Sequence, residues 1–405
     1  MGKVFIVKPV GLEGISDRFF AMKRLKKKSV IENKNVSRVL VERQILMTAN
    51  HPFICTMYYS FQTKTKVYFI MQYCAGGEFF RMLKMLPGKR LTENAAKFYA
   101  AEILLALEYL HLLGYYYRDL KPENILVHET GHVMLTDFDL SKASGIGANP
   151  RLQNVKDRTK RKTISNLFGL RSPRKKVVDT DSNISIEKTK SMLGTFEYMS
   201  REMLIGKGYG SSSDWWSFGV LVYEMIFSRT PFKGITWQRT LKNISKDQDI
   251  DIPADPAISE ACANFMRSIF WSSKTKNRLD SALKIKEHPF FRDVNFQLIR
   301  NEKPPIVPKL RRDGVLDTTC MYKRRAEAES DVSSEEEEGE EEESDTAAKE
   351  RGGKAMFGSE LYCDDFYDGF EGFAWSRGVP DPHWTLDPTV ADSPASALSP
   401  HSKGP

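Results

Sequence analysis

Tyr117-Arg118-Asp119-Leu120-Lys121-Pro122-Glu123-Asn124 is followed, eighteen residues after Asp119, by Asp137-Phe138-Asp139. Moving a phosphoryl group asks for these residue types. A carboxylate must orient the attacking hydroxyl, a lysine must neutralise charge on the transferred group, and two oxygen ligands must hold Mg2+. Asp119, Lys121, Asn124 and Asp137 supply that set. Either stretch alone reads equally well as a polar turn or an acidic strand end. In this order, around the strand-like runs Ile125 to Val127 and Val133 to Thr136, the two together are highly specific.

The elements that must position such a set are legible in outline. Val4 to Val7, Phe19 to Leu25 and Val67 to Tyr73 are short β-type runs. Between them, Ser37 to Ala49 carries Val39, Leu40, Ile45 and Leu46 at helical spacing. After Gly76-Gly77 the pattern turns helical. Thr92 is placed to cap a helix whose apolar stripe runs through Ala96, Tyr99, Ile103, Leu107 and Leu110, with Gly114 closing it. Further helical segments run from Asp214 to about Phe291. The expected fold class is α+β, with a small β-rich lobe over 1–73 and a larger helical lobe over 74–291.

The chain of 405 residues is too long for one ordinary core, and its net charge of +7 hides an asymmetry. Between Glu327 and Asp345 stand 12 acidic residues and no Lys or Arg. A basic body with an acidic tail suits a nucleic-acid binder, a membrane-surface binder or a self-masking chain. A composition 41% hydrophobic and 11% aromatic excludes wholesale disorder. Apolar runs such as Phe218 to Phe227 are too short to span a bilayer, and the N-terminus has no secretory apolar region. Ile6 stands where an N-myristoylation motif needs Ser or Thr. The five cysteines form no CxxC pair and the seven histidines are scattered, which argues against a disulfide framework or zinc site and for a reducing compartment. Lys142 to Lys190, with 13 basic against 4 acidic residues, reads as a mobile basic insertion. Residues 327–345 and 376–405 read as disordered.

The two motif stretches resemble those of a eukaryotic protein kinase, and within that superfamily the AGC group of serine/threonine kinases. The similarity runs from Gly2 to about Phe291, interrupted by the basic insertion, and extends weakly into the tail. Tyr-Arg-Asp and Asp-Phe-Asp-Leu-Ser, with a long insertion after the latter, resemble the branch of phototropin-type and flippase-activating kinases. The resemblance implies a bilobal fold, ATP and Mg2+ as cofactors, and transfer of the γ-phosphoryl to Ser or Thr. Lys23 would hold the α- and β-phosphates, with Glu42 as its partner on the following helix. Gly2, Val4, Ala21 and the hinge residues Met71, Gln72 and Cys74 would line the nucleotide. Ser191 would be the activating phosphoacceptor, its phosphate paired with Arg118. Asp214 to Gly219 would anchor the larger lobe, Glu202 with Arg278 would buttress the substrate loop, and Phe138 and Tyr117 would stack with Leu46 and Met57 as an internal spine. Glu78 and Glu123 would receive basic residues N-terminal to the target hydroxyl.

The segment over 292–375 reads as an AGC-type extension. Five aromatics lie within Phe366 to Trp375, and Phe370-x-x-Phe373 resembles the AGC hydrophobic motif, which packs back on the small lobe and steadies the Glu42 helix. Ala374 stands where many relatives carry a phosphorylatable Ser or Thr. Two features depart from the family pattern. Only the last of three phosphate-loop glycines is present, as Gly2, which reads as an N-terminal truncation, and the APE motif reads Ser200-Arg201-Glu202. The expected partners are basic-context protein substrates, an upstream activating kinase and, through the insertion, an anionic membrane surface. Arg158 to Lys162 and Arg171 to Lys176 lack interleaved aromatics, so they fit nuclear-localisation or anionic-surface signals and no specific nucleic acid is expected. The chain is expected to be a cytoplasmic monomer, with nuclear or peripheral-membrane positions open. The alternative reading is a pseudokinase or scaffold: the incomplete phosphate loop favours it, while Lys23, Asp119 and Asp137 oppose it.

Overall fold

The computed structural model describes residues 2–10, 18–144, 195–204, 209–246, 250–254, 258–270, 278–310, 370, 373–377 and 383–385. In chain order, β1 (Lys3–Val10), β2 (Phe20–Lys26), α1 (Lys27–Glu32), α2 (Val36–Thr48), β3 (Met57–Gln62) and β4 (Lys66–Gln72) come first. Next are β5 (Gly77–Glu78), α3 (Phe79–Met85), α4 (Glu93–Leu112), β6 (Tyr115–Tyr116), β7 (Ile125–Val127), β8 (Val133–Leu135) and β9 (Lys142–Ala143). Then follow α5 (Arg201–Leu204), α6 (Ser211–Phe227), α7 (Trp237–Ser245), α8 (Glu260–Ile269) and α9 (Ala282–Lys286). The tail adds β10 (Trp375–Ser376) and β11 (His383–Thr385). The protein is α+β, and among the described residues no helix is long and apolar enough to cross a membrane.

These elements group into two units. One comprises Met1–Met85, Pro122–Asp139 and Gln297–Pro405. Its main sheet is antiparallel throughout, in the order β10-β3-β4-β2-β1-β11. Alternation along β2 decides which side chains reach which face. Phe20 and Met22 join Val7, Tyr59, Tyr68 and Ile70 in a buried cluster, which turns Ala21 and Lys23 to the opposite face. On α2 the buried residues are Val39, Glu42, Ile45 and Leu46, so Glu42 lies on the same helical stripe as the apolar residues. The smaller sheet, β5-β7-β8, ends the β7–β8 turn in Gly131 at φ 93°. A Cβ there would come within 2.4 Å of the Ile306 carbonyl, so that turn admits only glycine.

The other unit comprises Leu86–Lys121 and Leu140–Phe296. Thr92 caps α4 as expected: its Oγ1 accepts from the Ala95 amide at 3.4 Å. At the other end Gly114 adopts φ 81° and donates its amide to the His111 carbonyl at 3.0 Å. Almost all of α6 is buried, with Trp216 stacked on Phe232 at 5.2 Å and edge-on to Phe270 at 5.1 Å.

The expected strands and the Glu42 helix lie within three residues of their predicted bounds. The structure adds β3 and α1 to the expected elements. In β3, Met57, Tyr59 and Phe61 alternate with Tyr58, Ser60 and Gln62, and the strand pairs along β4. Helix α1 has six residues, too few to display a helical period. The basic insertion beyond Ser144, the acidic run over 327–345 and most of 376–405 lie outside the described residues.

Candidate active site

Strand β2, helix α2 and the turn after β8 bring three charged side chains to one point. Lys23 Nζ donates to Glu42 Oε1 at 2.7 Å and to Asp137 Oδ1 at 3.1 Å. Burial by itself would lower the Lys23 pKa, but Asp137, Glu42 and Asp139 hold the ammonium charged and raise it above the usual lysine value. Burial raises the Glu42 pKa above the usual carboxylate value, and Lys23, 2.7 Å away, opposes the rise. The second Glu42 oxygen, Oε2, is buried without a hydrogen-bond partner among the described residues. The Asp137 backbone sits at φ 58°, a conformation that aims its carboxylate at Lys23 at some backbone cost. A cavity of about 260 Å3 opens here, with Gly2, Val4, Lys23, Glu42, Asp137 and Asp139 in its lining. The lining also holds Lys26 and Arg38, and cations interleaved with carboxylates suit a polyphosphate carried with a divalent cation.

The β7–β8 hairpin sets two oxygen donors at one end. Ile125 pairs with Leu135, and the Thr136 amide donates to the Asn124 carbonyl at 3.1 Å, so Asn124 and Asp137 flank the same end of the ladder. A carboxylate and an amide oxygen are the hard donors that Mg2+ takes. Across the sheet, Val4 pairs with Lys23 and Ala21 with Met71, with Gln72 ending β4. The buried Cys74 thiol lies 3.7 Å from the Met134 sulfur, a packing contact. Glu78, on β5, accepts from Arg81 Nε at 3.2 Å. Burial raises its pKa, Arg81 opposes that rise, and nearby Glu123 adds to it.

In the other unit, Lys121 Nζ donates to Asp119 Oδ2 at 2.8 Å, and Asp119 is buried. The preceding residues hang from Asp214 on α6, whose carboxylate is fully buried. Its Oδ2 accepts from His111 Nε2 at 2.7 Å and the Tyr117 amide at 2.9 Å. Its Oδ1 accepts from the Arg118 amide at 2.9 Å and the Tyr209 hydroxyl. Arg118 is thereby held at φ 72°, with its guanidinium 5.0 Å from the centre of the Tyr209 ring. Burial, and then Asp214, pushes the Tyr209 hydroxyl well above the usual tyrosine pKa. His111 and Tyr209 were missed by sequence reasoning: nothing in their spacing marks a shared carboxylate 103 residues from the histidine. Arg278 Nη1 meets Glu202 Oε1 at 3.2 Å, the pair the motif alignment expects. Tyr117, Leu46, Met57 and Phe138 are each buried.

Phe370 and Phe373 are fully buried in the sheet unit, Phe373 edge-on to Phe69 at 5.3 Å. Ser191 lies outside the described residues.

A sheet lysine tied to a helix glutamate, with an Asp-Phe-Asp turn beside it, is the arrangement of protein kinases, and the comparisons agree. The protein kinase domain family model matches residues 4–159 and 165–291, and the chain belongs to that family. It is 44% identical over 340 residues to serine/threonine-protein kinase nrc-2 of Neurospora crassa, covering 82% of this chain and 51% of that protein. Flippase kinase 1 of Saccharomyces cerevisiae is 41% identical over 317 residues, 78% of this chain and 33% of that protein. Phototropin-1A of Oryza sativa is 44% identical over 291 residues, 71% of this chain and 30% of that protein. Both flippase and phototropin kinases are thus among its relatives, as the Asp-Phe-Asp resemblance implies. The chain spans about half the length of nrc-2 and less of the other two.

Proposed function

We propose that this chain is a serine/threonine protein kinase that transfers the γ-phosphoryl of Mg·ATP to Ser or Thr in basic-context proteins. The observation that carries this reading is the Lys23–Glu42 pair at 2.7 Å with Asp137 at 3.1 Å on the same ammonium. Glu42 holds the lysine in place, and Lys23 presents its charge to the α- and β-phosphates. Asn124 and Asp137 would hold Mg2+, which when bound neutralises phosphate charge during transfer. Asp119 would orient the attacking hydroxyl, and Lys121, paired with it at 2.8 Å, would stabilise charge on the transferred group. Glu78 and Glu123 would select arginine ahead of the target residue, with Arg81 holding the Glu78 carboxylate until a substrate arginine displaces it. In this reading Ser191 takes the activating phosphate from an upstream kinase, and the basic insertion meets an anionic surface. The catalytic domain runs over residues 1–291 and the extension over 292–375.

The test is phosphotransfer by the full chain from Mg·ATP to an arginine-rich serine peptide, with Asp119→Asn as control. Incorporation that disappears in the control is expected. Equal incorporation by Asp119→Asn, or none from a folded native chain, overturns the proposal, the latter in favour of a scaffold.

A further inference from the structure

Helix α2 carries Glu42, and the donors at its own C-terminal end, Thr48 Oγ1 and the Ala49 amide, reach back only to the Gln44 and Ile45 carbonyls. The last carbonyls of any helix have no intrahelical donor and carry partial negative charge. A glycine after the helix or a basic residue in its last turn usually answers this. Here α2 has no basic residue in its last turn, and Ala49 follows it in extended conformation. A donor for the later carbonyls comes from the far end of the chain. Arg377 Nη2 lies 2.7 Å from the Ala49 carbonyl, 3.2 Å from that of Leu46 and 3.4 Å from that of Met47.

The helix makes a matching contact in return. Arg43, next to Glu42, donates Nε to the Phe373 carbonyl at 2.9 Å and Nη2 to the Ala374 carbonyl at 3.2 Å. Ser60 Oγ donates to the same Phe373 carbonyl at 2.7 Å. Between the two arginines the tail runs as β10, Trp375 paired with Ser60 and Ser376 with Tyr59, and the Arg377 amide donates to the Tyr58 carbonyl at 2.8 Å. Strand pairing leaves Arg377 little freedom to point elsewhere. Each guanidinium therefore binds backbone of the other segment: Arg43 grips the tail, and Arg377 closes the helix.

We propose that Arg377 is a positioning residue, closing from the tail the Leu46, Met47 and Ala49 carbonyls at the C-terminal end of α2 and so helping to hold Glu42 against Lys23. The catalytic consequence rests on the kinase reading; the cap itself does not. Ala374 offers no hydroxyl for a phosphate, and the two arginines add to the β10 pairing and to the Ser60 and Gln62 contacts in fastening this stretch beside its two phenylalanines.

The experiment compares the full native chain with Arg377→Ala and Arg377→Lys by amide hydrogen exchange and by steady-state kinetics. Loss of the charged cap speeds exchange in the last turn of α2 by roughly tenfold in Arg377→Ala. Exchange in β4 and α6 is expected to stay unchanged. The kcat falls several-fold with the KM for ATP within about twofold, and Arg377→Lys recovers part of both effects, since a lysine brings charge but not the fork. Unchanged exchange at residues 45–49 in Arg377→Ala overturns the proposal, as does a rise shared equally by β4 and α6. Faster exchange confined to α2 in a native chain without phosphotransfer supports the cap and overturns only the kinase reading.

Discussion

Asp214→Asn tests how the Asp119 loop is held. The carboxylate accepts four hydrogen bonds, two on each oxygen: His111 and the Tyr117 amide on Oδ2, the Arg118 amide and Tyr209 on Oδ1. Asparagine must replace one oxygen with an NH2 group. The imidazole and the phenol can reverse their roles and accept from it, but a backbone amide cannot. Whichever way the side chain turns, either the Tyr117 or the Arg118 amide faces another donor in a fully buried site. An orphaned buried amide costs about 1–3 kcal/mol, and the surviving bonds lose the strength that charge lends them. A loss of roughly 3 kcal/mol in unfolding free energy follows. Arg118 is held at φ 72° by this carboxylate, so the loop leading to Asp119 relaxes as well. The kcat is expected to fall at least about tenfold, equivalent to 1.4 kcal/mol of barrier. Urea unfolding and peptide phosphorylation measure the two effects on one preparation. A variant less than about 1 kcal/mol destabilised, with kcat within twofold of native, would refute the reasoning.

Two further outcomes concern stability. Gly219→Ala adds a Cβ that would lie 2.6 Å from Ile269 Cγ2 and 3.2 Å from Phe270 Cζ, both on buried residues. Overpacking of about 1–3 kcal/mol outweighs the gain of about 1 kcal/mol in helix propensity, so the urea midpoint falls; a higher midpoint counts against it. Burial lowers the His51 pKa from 6.5 to about 4, and its Nδ1 accepts from the Phe53 amide. Because the unfolded chain binds the proton first, stability is full above pH 6.5 and is lost as pH falls towards 4. After allowance for screening at a partly exposed ring, the loss is about 1–2 kcal/mol. Thermal midpoints between pH 7 and 4.5 should drop more steeply for the native chain than for His51→Gln, and parallel curves would exclude His51 as the cause.

The local parts of the site were legible because their chemistry is local. Asp119, Lys121 and Asn124 share one loop and Asp137 follows one hairpin later, whereas Lys23 and Glu42 were marked only by the resemblance to protein kinases. The Thr92 cap and the α4 stripe were readable for the same reason: capping and helical burial depend on neighbours three and four residues away. Strand β3 was missed although Met57, Tyr59 and Phe61 alternate with Tyr58, Ser60 and Gln62; its register on β4, with a shift between Met57 and Tyr59, is decided by the pairing.

The sequence by itself determined the family, the charged residues available for phosphoryl transfer and the main strands and helices that carry them. Only the tertiary structure decided that Asp214 gathers four donors from three segments, and that Arg377 caps a helix 328 residues earlier than itself. Five of the groups that Asp214 and Arg377 bind are backbone: the Tyr117 and Arg118 amides and the Leu46, Met47 and Ala49 carbonyls. Every residue but proline carries such an amide and every residue such a carbonyl, so no side-chain pattern marks which one a distant charge will find; chain packing alone selects it.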